Sequence, residues 1–315
     1  MEGERSREVG AEKDGTDMAT LTIIIVDGFV FAAILFLLSV GLTLIFGVLR
    51  ILNISHGGIY ALGAYMGTFL ALKILDVGLN PYLTYVMLLV GALIIGLITG
   101  PLIERLFLRR VYGQAEAIQL LLTFSILLIL DDLIKLIWGT APMLVSQPST
   151  LLGQVSVVGI SYTWYHFLLI AVSIVFGGSL VWLVRGTRFG KIIVAVISDR
   201  EVSIAVGINV NRIYTVSFTL GALCAALGGA VIAPTIAVAP GFAVEVVVQS
   251  FAVIAIGGMG SLEGAALGAL FVGVARALAI HLFPEFELVV IYLIMFMVLM
   301  FKPEGLFGAV EVRRI

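Results

Sequence analysis

The chain predicts an all-α membrane protein of about eight transmembrane helices, with some segments broken by glycine or re-entrant. Three observations predict it. The composition is 61% hydrophobic and 12% charged, with mean hydropathy +1.18, whereas soluble domains run near half apolar and a quarter charged. Apolar runs of spanning length, about 20 residues for about 30 Å of hydrocarbon, recur along the chain. Each run is apolar on every side, which suits a helix in lipid, where barrel strands would alternate.

The elements follow in order. Residues 1–17 hold Glu2, Glu4, Glu8, Glu12, Asp14 and Asp17 against Arg5, Arg7 and Lys13. That is the composition of a solvated, disordered tail, not the basic start of a signal peptide. Apolar runs then cover roughly 21–48, 57–75, 82–103, 117–138, 165–184, 213–233, 244–259, 265–281 and 288–301. They make one transmembrane domain over 18–302, followed by a short tail at 303–315. The single cysteine, Cys224, sits inside an apolar run, which excludes a disulfide framework. No basic stripe suggests nucleic acid.

Lys and Arg orient the runs. They cluster in the tail, at Arg105, Arg109 and Arg110, from Arg185 to Arg212, and at Lys302, Arg313 and Arg314. The positive-inside rule places all four clusters, and so both termini, in the cytoplasm. The loop 139–164 has no Lys or Arg and faces outside, with Trp138 and Trp164 as interface anchors. Parity then requires an even number of crossings among the first three runs. The glycine-rich second run is the candidate for an irregular, re-entrant or only partly spanning path.

That run opens "LRILNISHGGIYALGAYMG" (49–67), where Asn53, Ser55, His56, Gly57 and Gly58 interrupt the apolar chain. Two readings stand side by side. Asn53 or Ser55 caps a helix and His56 bonds a carbonyl, or these groups line a translocation path, as polar groups at membrane depth often do. The second half repeats the pattern in "VIAIGGMGSLEGAALGALFVG" (253–273), with Gly257, Gly258, Gly260 and Ser261. Ala-Leu-Gly-Ala stands at 61–64 and again at 266–269. Paired glycine-interrupted segments in corresponding halves are a sequence pointer to a transport site.

Other features carry less. "GTRFGKI" (186–192) misses the phosphate-loop pattern in both spacing and its final hydroxyl. His56, His166 and His281 are scattered, so no metal site or enzymatic chemistry is visible. Asp131 and Lys135 are spaced to pair on one helix face near an end of their run. Arg276 has no neighbour in sequence to pair with and is a candidate for facing the protein interior.

The longest polar stretch is "RGTRFGKIIVAVISDREVSIAVGINVNRI" (185–213). Ser198 and Glu201 match a capping box, so a helix should begin there and stop at Gly207. Val202, Ala205 and Val206 give it one short apolar face, suited either to lying on the membrane or to docking in a partner's groove.

"DREVSIAVGINVNR" (199–212) resembles the ATPase-contacting loop of ABC-importer permeases of the branched-chain amino acid (Liv-type) family. The likeness continues through "FTLGALCAALGGAVIAP" (218–234), "AVIAIGGMGSLEGAALGAL" (252–270) and "PEGLFG" (303–308). At the front, "GLTLIFGVLRILNISHGGIYALGAYMG" (41–67) looks like the family's opening. Val202 and Ser203 stand where small alanines are common in such loops.

The resemblance implies an all-α fold of the type II ABC importer kind, in a bacterial or archaeal plasma membrane. It implies four kinds of partner: a second, homologous permease, two ATP-binding subunits, an extracytoplasmic solute-binding protein and lipid. ATP and Mg would sit on the ATPases, with no cofactor or metal on this chain and no enzymatic activity. The ATPase-coupling residues would be Ser198, Asp199, Arg200, Glu201, Val202, Ala205, Val206, Gly207 and Ile208 in the loop 185–212. The path would pass Asn53, Ser55, His56, Gly57, Gly58, Gly257, Gly258, Gly260 and Ser261. Leucine, isoleucine and valine are the implied substrates, with urea, short amides, other amino acids and aromatic acids as alternatives in near relatives. Two other classes stay open on the residues alone: an ion-coupled secondary transporter using His56, Asp131 or Glu263, and a structural scaffold.

Overall fold

The computed structural model describes residues 2–308, without the side chains of residues 2–19 and Leu288. The side chains of the acidic segment 1–17, and the C-terminal tail past Gly308, therefore lie outside the described residues.

Each apolar run folds as a helix. In chain order these are α1 (Glu2–Leu49), α2 (His56–Asp76), α3 (Leu83–Leu106) and α4 (Glu116–Trp138), then a single turn, α5 (Gln147–Thr150). A hairpin of β1 (Gln154–Val157) and β2 (Ile160–Thr163) leads into α6 (Trp164–Gly186). Next come α7 (Arg188–Ser198), α8 (Arg200–Ala205), α9 (Val210–Ile232), α10 (Phe242–Gly257), α11 (Leu262–Leu282) and α12 (Glu287–Phe301). Among the described residues, six stretches are long and apolar enough to cross a membrane: Thr20–Leu49, His56–Asp76, Leu83–Arg110, Trp164–Gly186, Val210–Thr235 and Leu262–Leu282. Phe242–Gly257 and Val289–Phe301 are shorter apolar helices.

The centre is packed by small residues, as expected where lipid supplies no hydrophobic drive between helices. A Cβ placed at Gly41 of α1 would lie 2.7 Å from the Gly221 carbonyl of α9. At Gly100 of α3 it would lie 2.7 Å from Thr219 Cα of α9, and at Gly28 of α1, 3.0 Å from Val274 Cα of α11. Backbones meet at these points, and Tyr60, Tyr65, Phe218, Leu37 and Ile45 fill the space around them.

These contacts sort the helix ends. Gly47 of α1 faces Gly260, just before α11. Arg109, after α3, reaches the Asn211 carbonyl at the start of α9, and the Leu306 N–H donates to Ile256 O at the end of α10. All of these lie at one end of the bundle, which carries the basic clusters of 105–110, 185–212 and Lys302. At the other end His281 Nε2 lies 2.8 Å from Asp27 Oδ2, and the Tyr85 hydroxyl donates to Pro148 O.

Two expectations change. The second run is not irregular: α2 is a continuous helix of 21 residues, and the irregular backbone is the approach to it, residues 50–55. With α1, α2 and α3 all helical, the Thr20 end of α1 sits opposite Arg105–Arg110 and Phe307. Thr20 and Phe307 therefore lie at opposite ends of the bundle, whereas the basic clusters place both termini on one side.

Candidate functional site

The first break is built on Arg50, whose φ of +56° turns the chain out of α1. Leu49 ends α1, yet His56 Nε2 lies 3.1 Å from Leu38 O, about 16 Å back along that helix at 1.5 Å per residue. The chain thus doubles back, and α2 begins near the middle of the span of α1. A carbonyl only accepts, so Nε2 carries the imidazole proton. The Ser55 hydroxyl donates to Asn53 Oδ1 at 2.5 Å, and the Thr123 hydroxyl of α4 donates to Leu52 O. Ser55 does not cap α2 through its side chain. Asn53, Ser55 and His56 are fully buried, and Asn53 Nδ2 and His56 Nδ1 have no partner.

The glycines after this break serve close approach. A Cβ at Gly57 would collide with the Ala243 carbonyl of α10, and one at Gly58 would lie 2.8 Å from Leu130 Cδ1. The second break lies between α10 and α11, with Gly258 at φ +106° and Gly260 at φ +84°. Ser261 then caps α11, its Oγ accepting from the Gly264 N–H at 3.0 Å.

The end of α1, just before the first break, and the second break itself flank one cleft of about 510 Å³ at the basic end. Thr43, Gly47 and Val48 of α1 line it on one side, Gly260 and Ser261 on another, and Arg185 of α6 with Lys191 and Ile193 of α7 on a third. Arg185 pairs with Glu263 of α11, bridging two walls. The long backbone of α7 is therefore one wall of the cleft, while its far end leads directly into α8.

Beyond the cleft, α7 and α8 form a projecting knob. Thr187 caps α7 by accepting from the Gly190 N–H. Ser198 ends α7, so the cap of α8 is Asp199, whose Oδ1 accepts from the Val202 N–H at 2.9 Å. This corrects the Ser198 capping box by one residue: Ser and Asp both cap well, and the extended backbone falls at Asp199 (φ −153°, ψ 105°). The Gly207 stop is as expected. Gly207 takes φ +86°, and the Ile208 N–H donates back to Ser203 O at 3.0 Å, the six-residue closure of a helix end. Val202, Ile204 and Val206 are exposed by 56%, 53% and 70%. Ser203 is buried instead and bonds Asp199 O.

The description "branched-chain amino acid transport system / permease component" matches residues 24–299. The chain belongs to this permease family. Among relatives of the permease, LivH of Salmonella typhimurium (strain LT2), a high-affinity branched-chain amino acid transport system permease protein, is 28% identical. The match covers 89% of this chain and 92% of that protein. LivH of Escherichia coli (strain K12) is also 28% identical over the same shares. BraD of Pseudomonas aeruginosa is 26% identical over 92% of this chain and 97% of its own length. A solved structure of PsaBC from Streptococcus pneumoniae in complex with Fab is similar over 88% of this chain and 91% of that chain, at TM-score 0.47 and 13% identity.

Within this permease the expected path residues fall into two groups. Gly260 and Ser261 line the cleft. Asn53, Ser55 and His56 open onto no described cavity, and Gly57, Gly258 and Gly257 pack against Ala243, Gly308 and Gly264. Arg276, which has no neighbour in sequence to pair with, pairs with Glu287 through Nε at 2.8 Å and stacks 4.3 Å over the Phe31 ring. Asp131 pairs with Lys135 at 2.7 Å as spaced, and also accepts from the Gly241 N–H that opens α10. Thr43, Gly47 and Lys191 were missed as cleft residues. Glu104 was missed too, although its acidic side chain beside Arg105 and Arg109 was a readable signal.

Proposed function

We propose that this chain is a membrane-spanning subunit of an ATP-binding cassette importer that moves leucine, isoleucine and valine across the plasma membrane, driven by separate ATPase subunits. The observation that carries the reading is the continuity between cleft and knob. One helix, α7, lines the cleft where the end of α1 faces the second glycine break, and passes at Ser198 into a solvent-exposed apolar knob on the basic end. A docked ATPase that shifts the knob shifts a wall of the cleft. The family and the LivH and BraD relatives support the substrate class.

In this reading the basic end is cytoplasmic, because Arg105, Arg109, Arg110, Arg185, Arg188, Lys191, Arg200 and Arg212 outnumber the bases of the tail. The acidic N-terminal segment then faces outward, with the hairpin and its loop. A second permease copy or homologue closes the far side of the cleft, a solute-binding protein delivers substrate to the outer end, and nucleotide and Mg stay on the ATPases. Two candidates of the ion-coupled alternative are engaged in pairs, Asp131 with Lys135 and Gly241 and Glu263 with Arg185, which leaves His56 to carry that reading.

The test is reconstitution of this chain in proteoliposomes, alone and with its second permease, ATPases and binding protein, followed by radiolabelled leucine uptake. Uptake that requires both the full assembly and ATP supports the proposal. Uptake by this chain alone under a proton or sodium gradient overturns it. Competition by urea, acetamide or benzoate in place of valine would move the substrate class.

A further inference from the structure

A fully buried carboxylate sits where the knob joins the bundle. Glu104, in the last turn of α3, has no exposed surface. Arg109, from the 3-10 turn Leu108–Arg110, donates to it twice, through Nε at 3.3 Å and a terminal nitrogen at 2.9 Å. The Tyr112 hydroxyl donates to Oε1 at 2.9 Å, and the Thr215 hydroxyl of α9 lies 2.7 Å from Oε2. Burial and the Glu104 charge both push the Tyr112 phenol up, so it remains a donor. Arg109 also reaches Thr215 Oγ1 at 2.8 Å and Asn211 O at 3.5 Å.

Two of these partners, Thr215 and Arg109, bear on the exit of the knob. Only residues 206–209 separate α8 from α9, and Asn209 caps α9 by accepting from the Arg212 N–H. Asn211 and Thr215 lie in the first two turns of α9, the turns that a displaced knob would pull first. A carboxylate taken out of water is costly unless its lone pairs are met by donors, and here three side chains meet them. For packing alone an apolar residue would do as well, since α3 and α9 already touch backbone to backbone at Gly100 and Thr219.

We infer that Glu104 is a positioning residue that locks the start of α9 to the end of α3, so that displacement of the knob moves both helices together. Without the lock, the first turns of α9 yield locally, so the pull moves the α7 wall of the cleft alone while α3 and α9 stay behind. The inference rests on the proposed ATPase-driven function. It gives Glu104 no contact with substrate.

The experiment uses the full importer in proteoliposomes and measures ATP hydrolysed per leucine imported. Two variants are compared with wild type. Glu104→Gln keeps the shape and removes the charge, while Thr215→Val removes the bonds of α9 to Glu104 and to Arg109 through that hydroxyl, leaving the Glu104–Arg109 pair and the long Arg109–Asn211 O contact. Both are expected to raise the ATP:leucine ratio at least fivefold, with wild-type amounts of ATPase co-purifying. Tyr112→Phe, which removes one bond that does not reach α9, should raise it less than twofold. A purely structural role would lower yield and leave the ratio unchanged in whatever complex assembles. An unchanged ratio in Thr215→Val overturns the inference, whether or not Glu104→Gln folds. Failure of the wild-type assembly to couple ATP to leucine uptake would instead strike the proposed function.

Discussion

The knob offers a graded test of docking. Val206 is 70% exposed at the end of α8, and Val202 and Ile204 are more than half exposed beside it. Fully burying a valine gains about 1.5–3 kcal/mol, so docking that covers the exposed part of Val206 contributes roughly 1–2 kcal/mol by the same measure. Val206→Ser should then weaken ATPase binding by about tenfold, at 1.4 kcal/mol per decade. Val206→Glu forces a charge into the same apolar contact and costs several kcal/mol, a loss of a hundredfold or more. Asp199→Ala acts differently. It removes the cap of α8, about 1 kcal/mol, from a helix of six residues that cannot hold itself together without support. Roughly fivefold weaker binding follows from that loss. Ser198→Ala leaves the cap in place and should be neutral. The assay is titration of purified ATPase subunits onto the permease in lipid nanodiscs, read as Kd beside the thermal midpoint of the permease alone. Since these side chains project from the fold, the midpoint should hold while Kd rises in the order Ser198→Ala, Asp199→Ala, Val206→Ser, Val206→Glu. A Kd for Val206→Glu within twofold of wild type refutes the docking assignment, and with it the coupling through α7.

Three further outcomes follow from the packing. With Cys224 replaced by alanine, cysteines at Gln147 and at Val206 should react with an impermeant thiol reagent from opposite sides; a cysteine at Ser6 should label with Gln147, and labelling with Val206 would overturn the arrangement of α1. Gly63→Leu would drive its side chain into the Ala226 backbone of α9, an overpacking that costs 1–3 kcal/mol or more, so the thermal midpoint should drop by several degrees; an unchanged midpoint would show that α2 and α9 are not packed this closely. Arg276→Gln strands Glu287, which is one-third exposed, and removes the contact with Phe31; its midpoint should fall, and adding Glu287→Gln should recover part of the loss, because a lone charge costs more than an absent pair.

Much of this was legible, and what was not has identifiable physical causes. The helices were legible because lipid leaves a spanning segment no other backbone solution. The breaks were legible because Asn53, Ser55 and His56, and the glycines from 257 to 260, are too costly or too flexible to continue a helix unnoticed. The turn Val158–Gly159 was not, since Val158 takes φ +51°, a conformation that valine does not advertise. The cap at Asp199 was missed by one residue because two good capping residues stand side by side, and only the course of α7 separates them. The partner of Arg276 was hidden because it lies past the end of α11, at Glu287, outside the three- and four-residue spacing that makes helix pairs readable.

The sidedness of the tail shows how local and global signals compete. Counting Lys and Arg treats each cluster alone, and Arg5, Arg7 and Lys13 look as cytoplasmic as Arg105, Arg109 and Arg110. The number of crossings between them is not a local property. It depends on whether the chain after Leu49 returns to mid-depth before starting a full helix, which is fixed by the bond from His56 to Leu38 O and the left-handed turn at Arg50. Gly47 and Val48, still in α1 before that return, face the second break at Gly260. The wall of the cleft is thus the last turns of α1 and not the break itself, so of the two glycine-interrupted stretches that look alike in the sequence only the second, at Gly260 and Ser261, reaches the cleft.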